Sequence, residues 1–335
     1  MVLHARWLVA ARYSGRFDFE PVIKRLGGPD GFEEASAAVL AEAGLSPRLI
    51  EELGSQRGAV RMDWECIRLG DSNYPSQLLA LMKAPPVIWW RGRSSACLSV
   101  KGLAVVGARA CTAYGKSMAC RLGRLEAASG GVLISGAARG IDRAAHQGAL
   151  EMGRTIAVLG GGLGHSMSRH QQVLMNEIVE NDGMVISEFP PNQSPTKWSF
   201  PQRNRVVAAL SRSVVVVEAH RRSGALITAG FARDLSREVY AVPGRLDSPS
   251  SEGCHALIEE GARIVVRLSD PIWDRPLGQL EKLPLLLRLL RSGPLCVSDL
   301  VERSGMSPTE IRRCIGRYEL AGLIQRNSGA RIALS

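Results

Sequence analysis

Between residues 103 and 267 short apolar runs alternate with helical stretches. The runs are LAVVG (103–107), VLISG (132–136), TIAVLG (155–160), MVISEF (184–189), VVVVEA (214–219), EVYAVP (238–243) and RIVV (263–266). Helical spacing fills 113–129, 140–152, 169–181 and 225–236. Strands that are apolar throughout, rather than at alternate positions, are buried on both faces. Strands separated by helices form parallel sheets. The pattern therefore predicts an α/β domain with a doubly wound parallel sheet. The first 60 residues read as helices punctuated by LGGPDG and AGLSPR, a small helical domain without evident chemistry. Residues 71–92, with three prolines and Trp89-Trp90, read as a connecting arm whose tryptophans pack rather than stack on bases.

The last 55 residues change character. LPLLLRLLRSG and VSDLVERSG are amphipathic, and Gly305 ends the second. Ser307, Pro308 and Glu310 spell a capping box with proline at the first helical position. Two short strands follow around Asn327-Ser328-Gly329, a hairpin signal. Three helices and a hairpin predict a winged helix. The expected domains are thus 1–70, 71–275 and 281–335. Arg312, Arg313 and Arg317 on the third tail helix suit a duplex or a solvated face equally. No base-reading Asn or Gln accompanies them.

Composition narrows the function. No run of 18 apolar residues occurs among the 335, so no membrane span is expected. The N-terminus carries arginines within its apolar part and reads as a helix, not a signal peptide. Seven cysteines without a C-x-x-C pair point to reduced thiols in a cytoplasm and to no zinc site. The net charge of +10 divides into −2 over residues 1–80, +8 over 81–279 and +4 over 280–335. A basic middle and tail suit a polyanionic partner, or merely an arginine-rich surface.

The stretch VVGARACTAYGKS (105–117) combines the tail of a P-loop with the head of a dinucleotide fold. It satisfies neither. Ala110 stands where a P-loop needs glycine, and Gly107 is followed by no second glycine until Gly115. Lys116 and Ser117 therefore read as helix residues. What remains is Gly107-Ala108-Arg109 at a strand's carboxyl end, where a guanidinium suits a phosphate. Glycine-rich loops also follow the second, third and fifth strands: SGAARGID, GGGLGH and HRRSGALITAG. Together they predict a phosphate-binding edge. The loop PPNQSPTKWSFPQRNR interleaves Lys197, Arg203 and Arg205 with Trp198 and Phe200, as single-stranded nucleic acid requires. Arg203 and Arg205 open a helix and cannot both face one way, so one of them can be structural. Catalytic candidates are thin. Asp142 and His146 read as a helix-start carboxylate and a locally bonded imidazole. His165 and His170 lack partners at metal spacing, and Glu218 in VVVVEA has no P-loop to serve. No catalytic residue, metal or cofactor is expected.

These residues together resemble the DNA processing protein A family, also called DprA or Smf. The resemblance rests on Gly107-Ala108-Arg109 with Tyr114-Gly115, and on Ser135-Gly136 through Gly140-Ile141-Asp142, Ala145-His146 and Gly148-Ala149-Leu150. It continues through Ser187-Glu188, Phe200 with Arg203-Asn204-Arg205, Glu218, Ser223-Gly224, Leu226 to Ala229 and Val242-Pro243-Gly244. It implies an extended Rossmann-like domain that dimerises and binds single-stranded DNA without catalysis. It also implies protection of incoming strands and loading of the RecA recombinase during natural transformation. The implied DNA-binding residues are Gly107, Arg109, Ser135, Gly136, Lys197, Phe200, Arg203, Asn204, Arg205, Ser223 and Gly224, with Arg109 and Lys197 on phosphates in one pocket. One loop departs from the family. Gly164, Met167, Ser168 and Gln171 stand where Asp, Tyr, Pro and Asn are usual. The alternative is a nucleotide hydrolase of the lysine-decarboxylase-like Rossmann group, whose catalytic glutamate loop has no match in RRSGALITAGFA.

Overall fold

The computed structural model describes residues 2–56, 58–92, 98, 101–273, 284–320, 322–327 and 330–334. The chain opens with β1 (Val2–His4), five short helices, α1 (Ala5–Arg12), α2 (Glu20–Arg25), α3 (Pro29–Glu34), α4 (Ala37–Glu42) and α5 (Pro47–Ser55), and β2 (Ala59–Arg61). β3 (Glu65–Arg68), α6 (Ser76–Leu79) and β4 (Val87–Gly92) lead into the α/β alternation. That alternation runs β5 (Gly102–Val106), α7 (Ala113–Ala128), β6 (Leu133–Ser135), α8 (Ile141–Leu150), β7 (Thr155–Val158), α9 (Arg169–Glu180), β8 (Met184–Ser187), α10 (Ser199–Leu210), β9 (Ser211–Val216), α11 (Gly224–Asp234), β10 (Glu238–Ala241), α12 (Glu252–Glu259), β11 (Arg263–Ile264) and α13 (Asp270–Trp273). The tail holds α14 (Leu285–Leu290), α15 (Val297–Ser304), α16 (Pro308–Leu320), β12 (Ile324–Asn327) and β13 (Arg331–Leu334). Two compact units result: Met1–Lys101 with Ile156–Leu210 and Asp234–Ser236, and Gly102–Thr155 with Ser211–Arg233 and Arg237–Ser335.

In the first unit the N-terminal helices close around Trp7, Phe19 and Phe32, all fully buried, with the Trp7 and Phe32 ring centroids 4.9 Å apart. Ser36 and Ser46 cap α4 and α5 through their side chains, and Pro47 takes the first turn of α5. The segment is not wholly helical. β1 and β2 pair antiparallel, Leu3 opposite Val60, so two three-residue strands clasp the helices. Such short strands carry no readable alternation. Further on, β8 lies parallel to β7 and antiparallel to β4, which is antiparallel to β3. The expected connecting arm thus contains a sheet strand. Pro85 and Pro86 obscured it, since proline cannot donate to a ladder, but the strand begins just after them. Trp89 and Trp90 are buried in it, as packing residues.

In the second unit five strands run parallel in the order β11-β10-β9-β5-β6. β11 is shorter than the expected 263–266 run. It is an edge strand with one neighbour, and Val266 beyond it is exposed. Helices α7 and α8 meet backbone to backbone. A Cβ on Gly123 would strike the Ala145 carbonyl, and one on Gly148 the Cys120 carbonyl. The core built on Leu103, Val105, Leu122 and Val215 runs on into Leu286, Leu287, Ile311 and Ile315 of the tail. The three tail helices and antiparallel hairpin appear in the expected order, with Leu295 bridging to Ile332. The Ser307–Glu310 capping box is present: the Ser307 N–H donates to Glu310 Oε2 at 2.9 Å and the Glu310 N–H to Ser307 Oγ at 3.3 Å. Ser328 and Gly329 of the hairpin turn lie outside the described residues.

Candidate nucleic-acid interface

In the second unit the β5 strand delivers the Gly-Ala-Arg loop. Gly107 has no room for a side chain, because a Cβ there would stand 2.7 Å from Ile141 Cγ1 and 2.8 Å from the Glu218 carbonyl. The Ala108 N–H donates to that carbonyl at 2.7 Å, and the Ile141 N–H donates to Ala108 O at 3.2 Å. The loop is thereby pinned between the end of β9 and the start of α8, and Arg109 emerges exposed. Just beyond, Thr112 caps α7 by accepting from the Gly115 N–H at 3.1 Å. Its own N–H and hydroxyl donate to the two oxygens of Glu218, at 2.9 and 2.5 Å. Gly115 lies so close to the Glu218 carboxylate that any side chain there would collide with it. Glu218 is therefore a clamp on the loop, a role sequence reasoning missed. The available signal was Thr112 three residues before Gly115, an N-cap spacing. Lys116 and Ser117 are exposed helix residues, as expected.

Of the other expected residues in this unit, Ser135 and Gly136 are turned inward. Ser135 is buried and its hydroxyl donates to Val105 O at 2.7 Å. The Gly136 N–H donates to Asp142 Oδ2 at 3.1 Å, so the loop's donor faces the protein's own carboxylate rather than an anion. The Ser135 hydroxyl and the Gly136 N–H are thus engaged within the protein, and Arg139 is the exposed residue of this loop. Asp142 stands in the first turn of α8, where a carboxylate suits the helix dipole. His146 Nδ1 lies 2.7 Å from Thr155 Oγ1 in the interior, the local bond expected of it. The loop after β9 leaves the sheet beside the one after β5, since Val106 and Val216 are paired. It exposes Arg221, Arg222 and Gly224, while Ser223 Oγ accepts from the Ala225 N–H at 3.3 Å. On α16, Arg312, Arg313 and Arg317 border a crevice of about 530 Å3 shared with Arg124, Glu151 and Met152 of the α7–α8 region.

In the first unit the site is the loop from β8 to α10. Thr196 and Ser199 lock its end reciprocally: each N–H donates to the other's hydroxyl, at 2.8 and 3.2 Å. Lys197 and Trp198 stand outside this lock, with Trp198 80 % exposed. Phe200 is half-buried with its ring over Gly160. The GGGLG loop supports this one from beneath. The Gly162 N–H donates to Gln193 O at 2.9 Å and the Gly164 N–H to Pro191 O at 2.8 Å, so these donors hold protein rather than phosphate.

Arg203 and Arg205 are both buried, at 4 and 7 % exposure. Arg203 donates to the Val158 carbonyl and to Asn204 Oδ1. Arg205 pairs with Glu188 and donates to Ser14 Oγ at 3.1 Å and Lys83 O at 2.5 Å. Glu188 also accepts from the Ser14 hydroxyl and from Gln202 Nε2. The expectation that these two arginines meet a strand gives way here: they are internal struts. Their spacing on α10 could not reveal that a carboxylate, Glu188, waits inside. Among the described residues no group of three or more His, Cys, Asp or Glu could hold a metal ion, and no helix is long and apolar enough to cross a membrane.

The chain and its fold have known relatives. A sequence model of the family described as DNA recombination-mediator protein A matches residues 65–275. Protein Smf of Escherichia coli is 37 % identical over 285 residues, which cover 78 % of this chain and 75 % of that protein. DNA processing protein DprA of Streptococcus pneumoniae is 42 % identical over 202 residues, covering 60 % of this chain and 70 % of that one. The X-ray structure of the S. pneumoniae protein superimposes with a TM-score of 0.70 at 31 % identity, covering 81 % of this chain and 98 % of that one. DNA processing protein A of Helicobacter pylori, solved to explain its single-stranded DNA binding mode, gives a TM-score of 0.58 at 27 % identity, covering 67 and 99 %.

Proposed function

The chain belongs to the DNA processing protein A family of recombination mediators, and from that premise we propose that it binds single-stranded DNA without cleaving it. The observation that carries the reading is the exposed Lys197-Trp198 pair, held on a turn locked by Thr196 and Ser199 and backed by Phe200. A cation for phosphate and a ring for a base, side by side, suit single strands and not the closed stack of a duplex. In the second unit Arg109 contacts a further phosphate, with the Ser223-Gly224 loop beside it. Gly107 shapes the Arg109 loop within the second unit, and Asn204 accepts from Arg203 within the first. Ser135, Gly136, Arg203 and Arg205 hold the scaffold.

The family premise extends the proposal to protection of incoming strands, loading of RecA and a homodimeric state. The three helices and hairpin of the tail support a winged helix as the last of three domains, 1–70, 71–275 and 281–335. The test is a salt-titrated comparison of single strand, duplex and mononucleotide on the whole protein. Single strand binds tightest, with log affinity falling linearly against log salt by about 0.7 per phosphate contacted. Duplex binding equal to or tighter than single strand overturns the reading. Base release from mononucleotides returns the hydrolase alternative. Sedimentation at micromolar protein reads the dimer, and RecA filament assembly on coated strands reads the loading.

A further inference from the structure

A second cavity, of about 250 Å3, lies in the first unit, and Lys197 is not part of its lining. Its floor is made by two strand residues and the residue just before a third strand. Arg91 of β4 is paired with Val185 of β8, and Glu65 of β3 is paired with Trp90. Trp64, one residue before Glu65 and just outside that ladder, lines the cavity together with Arg91. The wall is α9, which lends Gln172, Met175 and Asn176, spaced three and four apart and hence on one helix face. The roof is the loop after β7, through His165 and Met167. This is the loop that departs from the family pattern. Gly164 makes the assembly possible, since a Cβ there would stand 2.6 Å from the Trp64 ring.

The lining has a definite chemistry. It contains no carboxylate. Trp64 offers an indole face and Met175 and Val185 an apolar bed, while Gln172 and Asn176 offer donors and acceptors a helical turn apart. Arg91 offers an exposed guanidinium. None of the side chains of Trp64, Arg91, Gln172 or Asn176 has a hydrogen-bonding or ionic partner among the described residues. A planar ring, paired carboxamides and a cation select a planar heteroaromatic ligand carrying an anion. The volume falls just below the roughly 300 Å3 at which small-molecule pockets begin, so it suits one such ring and not a dinucleotide.

We propose that this cavity is a second nucleotide site, in which a base stacks on Trp64 with its edge toward Gln172 and Asn176 and its phosphate on Arg91. The inference rests on the single-strand reading only for where the nucleotide comes from: a strand or the free pool. Photo-cross-linking with 5-iododeoxyuridine, as the monophosphate and within an oligothymidylate, tests it on the whole protein. The expected product is a labelled peptide containing Trp64 or His165. Labelling should fall at least tenfold in Asn176→Trp, which fills the cavity from an exposed helix position, with melting temperature unchanged. Labelling by the oligonucleotide assigns a strand nucleotide, and labelling by the monophosphate alone assigns a free one. Absence of this peptide with both probes overturns the proposal, as does labelling that Asn176→Trp leaves intact. If the strand then still labels Trp198 or Phe200, the single-strand reading survives this failure. If the monophosphate labels Trp64 while the strand labels nothing, the reverse holds.

Discussion

At the scale of single residues the structure separates arginines that look alike in sequence. Arg109 is exposed on a pinned loop, whereas Arg205 is buried against Glu188. A charge-assisted contact to phosphate contributes about 1.5–3 kcal/mol. Arg109→Ala should therefore weaken single-strand binding roughly ten- to a hundredfold, since about 1.4 kcal/mol is tenfold. Its melting temperature should hold, and a collapse of the fold would make Arg109 structural instead. Arg205→Ala reverses the pattern. It strands Glu188 in the interior, and breaking a buried pair costs about 3–5 kcal/mol. The double variant Arg205→Met with Glu188→Leu should recover much of that stability, as denaturant melts can show. Lys197 and Trp198 divide differently again. Lys197→Ala should lower the salt slope by about 0.7, whereas Trp198→Ala should leave the slope alone and lose about 1–3 kcal/mol of stacking. Equal slopes in the two variants would contradict the assignment of cation to phosphate and ring to base.

At the scale of elements the loops are organised by side chains from other strands. Glu218, at the end of β9, grips Thr112 at the start of α7 and so fixes the loop that carries Arg109. Glu218→Gln retains the shape but weakens the charge-assisted bonds. Strand affinity should fall several-fold although both Glu218 oxygens are taken up by Thr112, and nuclear magnetic resonance should show the 107–112 loop broadened. In the tail, Ser307 through its hydroxyl and then its backbone N–H holds the Glu310 carboxyl below its usual range, and the Cys296 side chain and N–H do the same for Asp299. A carboxyl depressed on folding adds stability above its unfolded pKa, about 4. That stability is lost as pH falls through the folded value. Tail helices should thus lose hydrogen-exchange protection on acidification below about pH 4, and Glu310→Gln should flatten that dependence. Replacing Arg312, Arg313 and Arg317 together by alanine should leave single-strand affinity within a few-fold, because they border α7 and α8 rather than the β5 and β9 loops. A hundredfold loss in a folded variant would place part of the site in the tail.

For the molecule as a whole, what the sequence determined by itself is the alternation. Continuous apolar runs such as VVVVEA can only be buried on both faces, and helical spacing between them leaves parallel strands as the outcome. The four helices read at 113–129, 140–152, 169–181 and 225–236 each lie within one residue of the observed start, and at most two of the observed end. The capping box at Ser307 was legible for the same reason: the chemistry of a local bond is written in neighbouring residues. Only the tertiary structure decided which polar groups face out. Arg203 and Arg205 became struts because Val158 O, Lys83 O and Glu188 stand where α10 packs, and these come from positions 17 to 122 residues away along the chain. Ser135 and Gly136 turned inward because Val105 and Asp142 claim their hydrogen bonds. Short-range order follows from periodicity, which a sequence displays. The destination of a buried charge follows from which distant partner folding brings within hydrogen-bond reach, and no spacing along one chain records that.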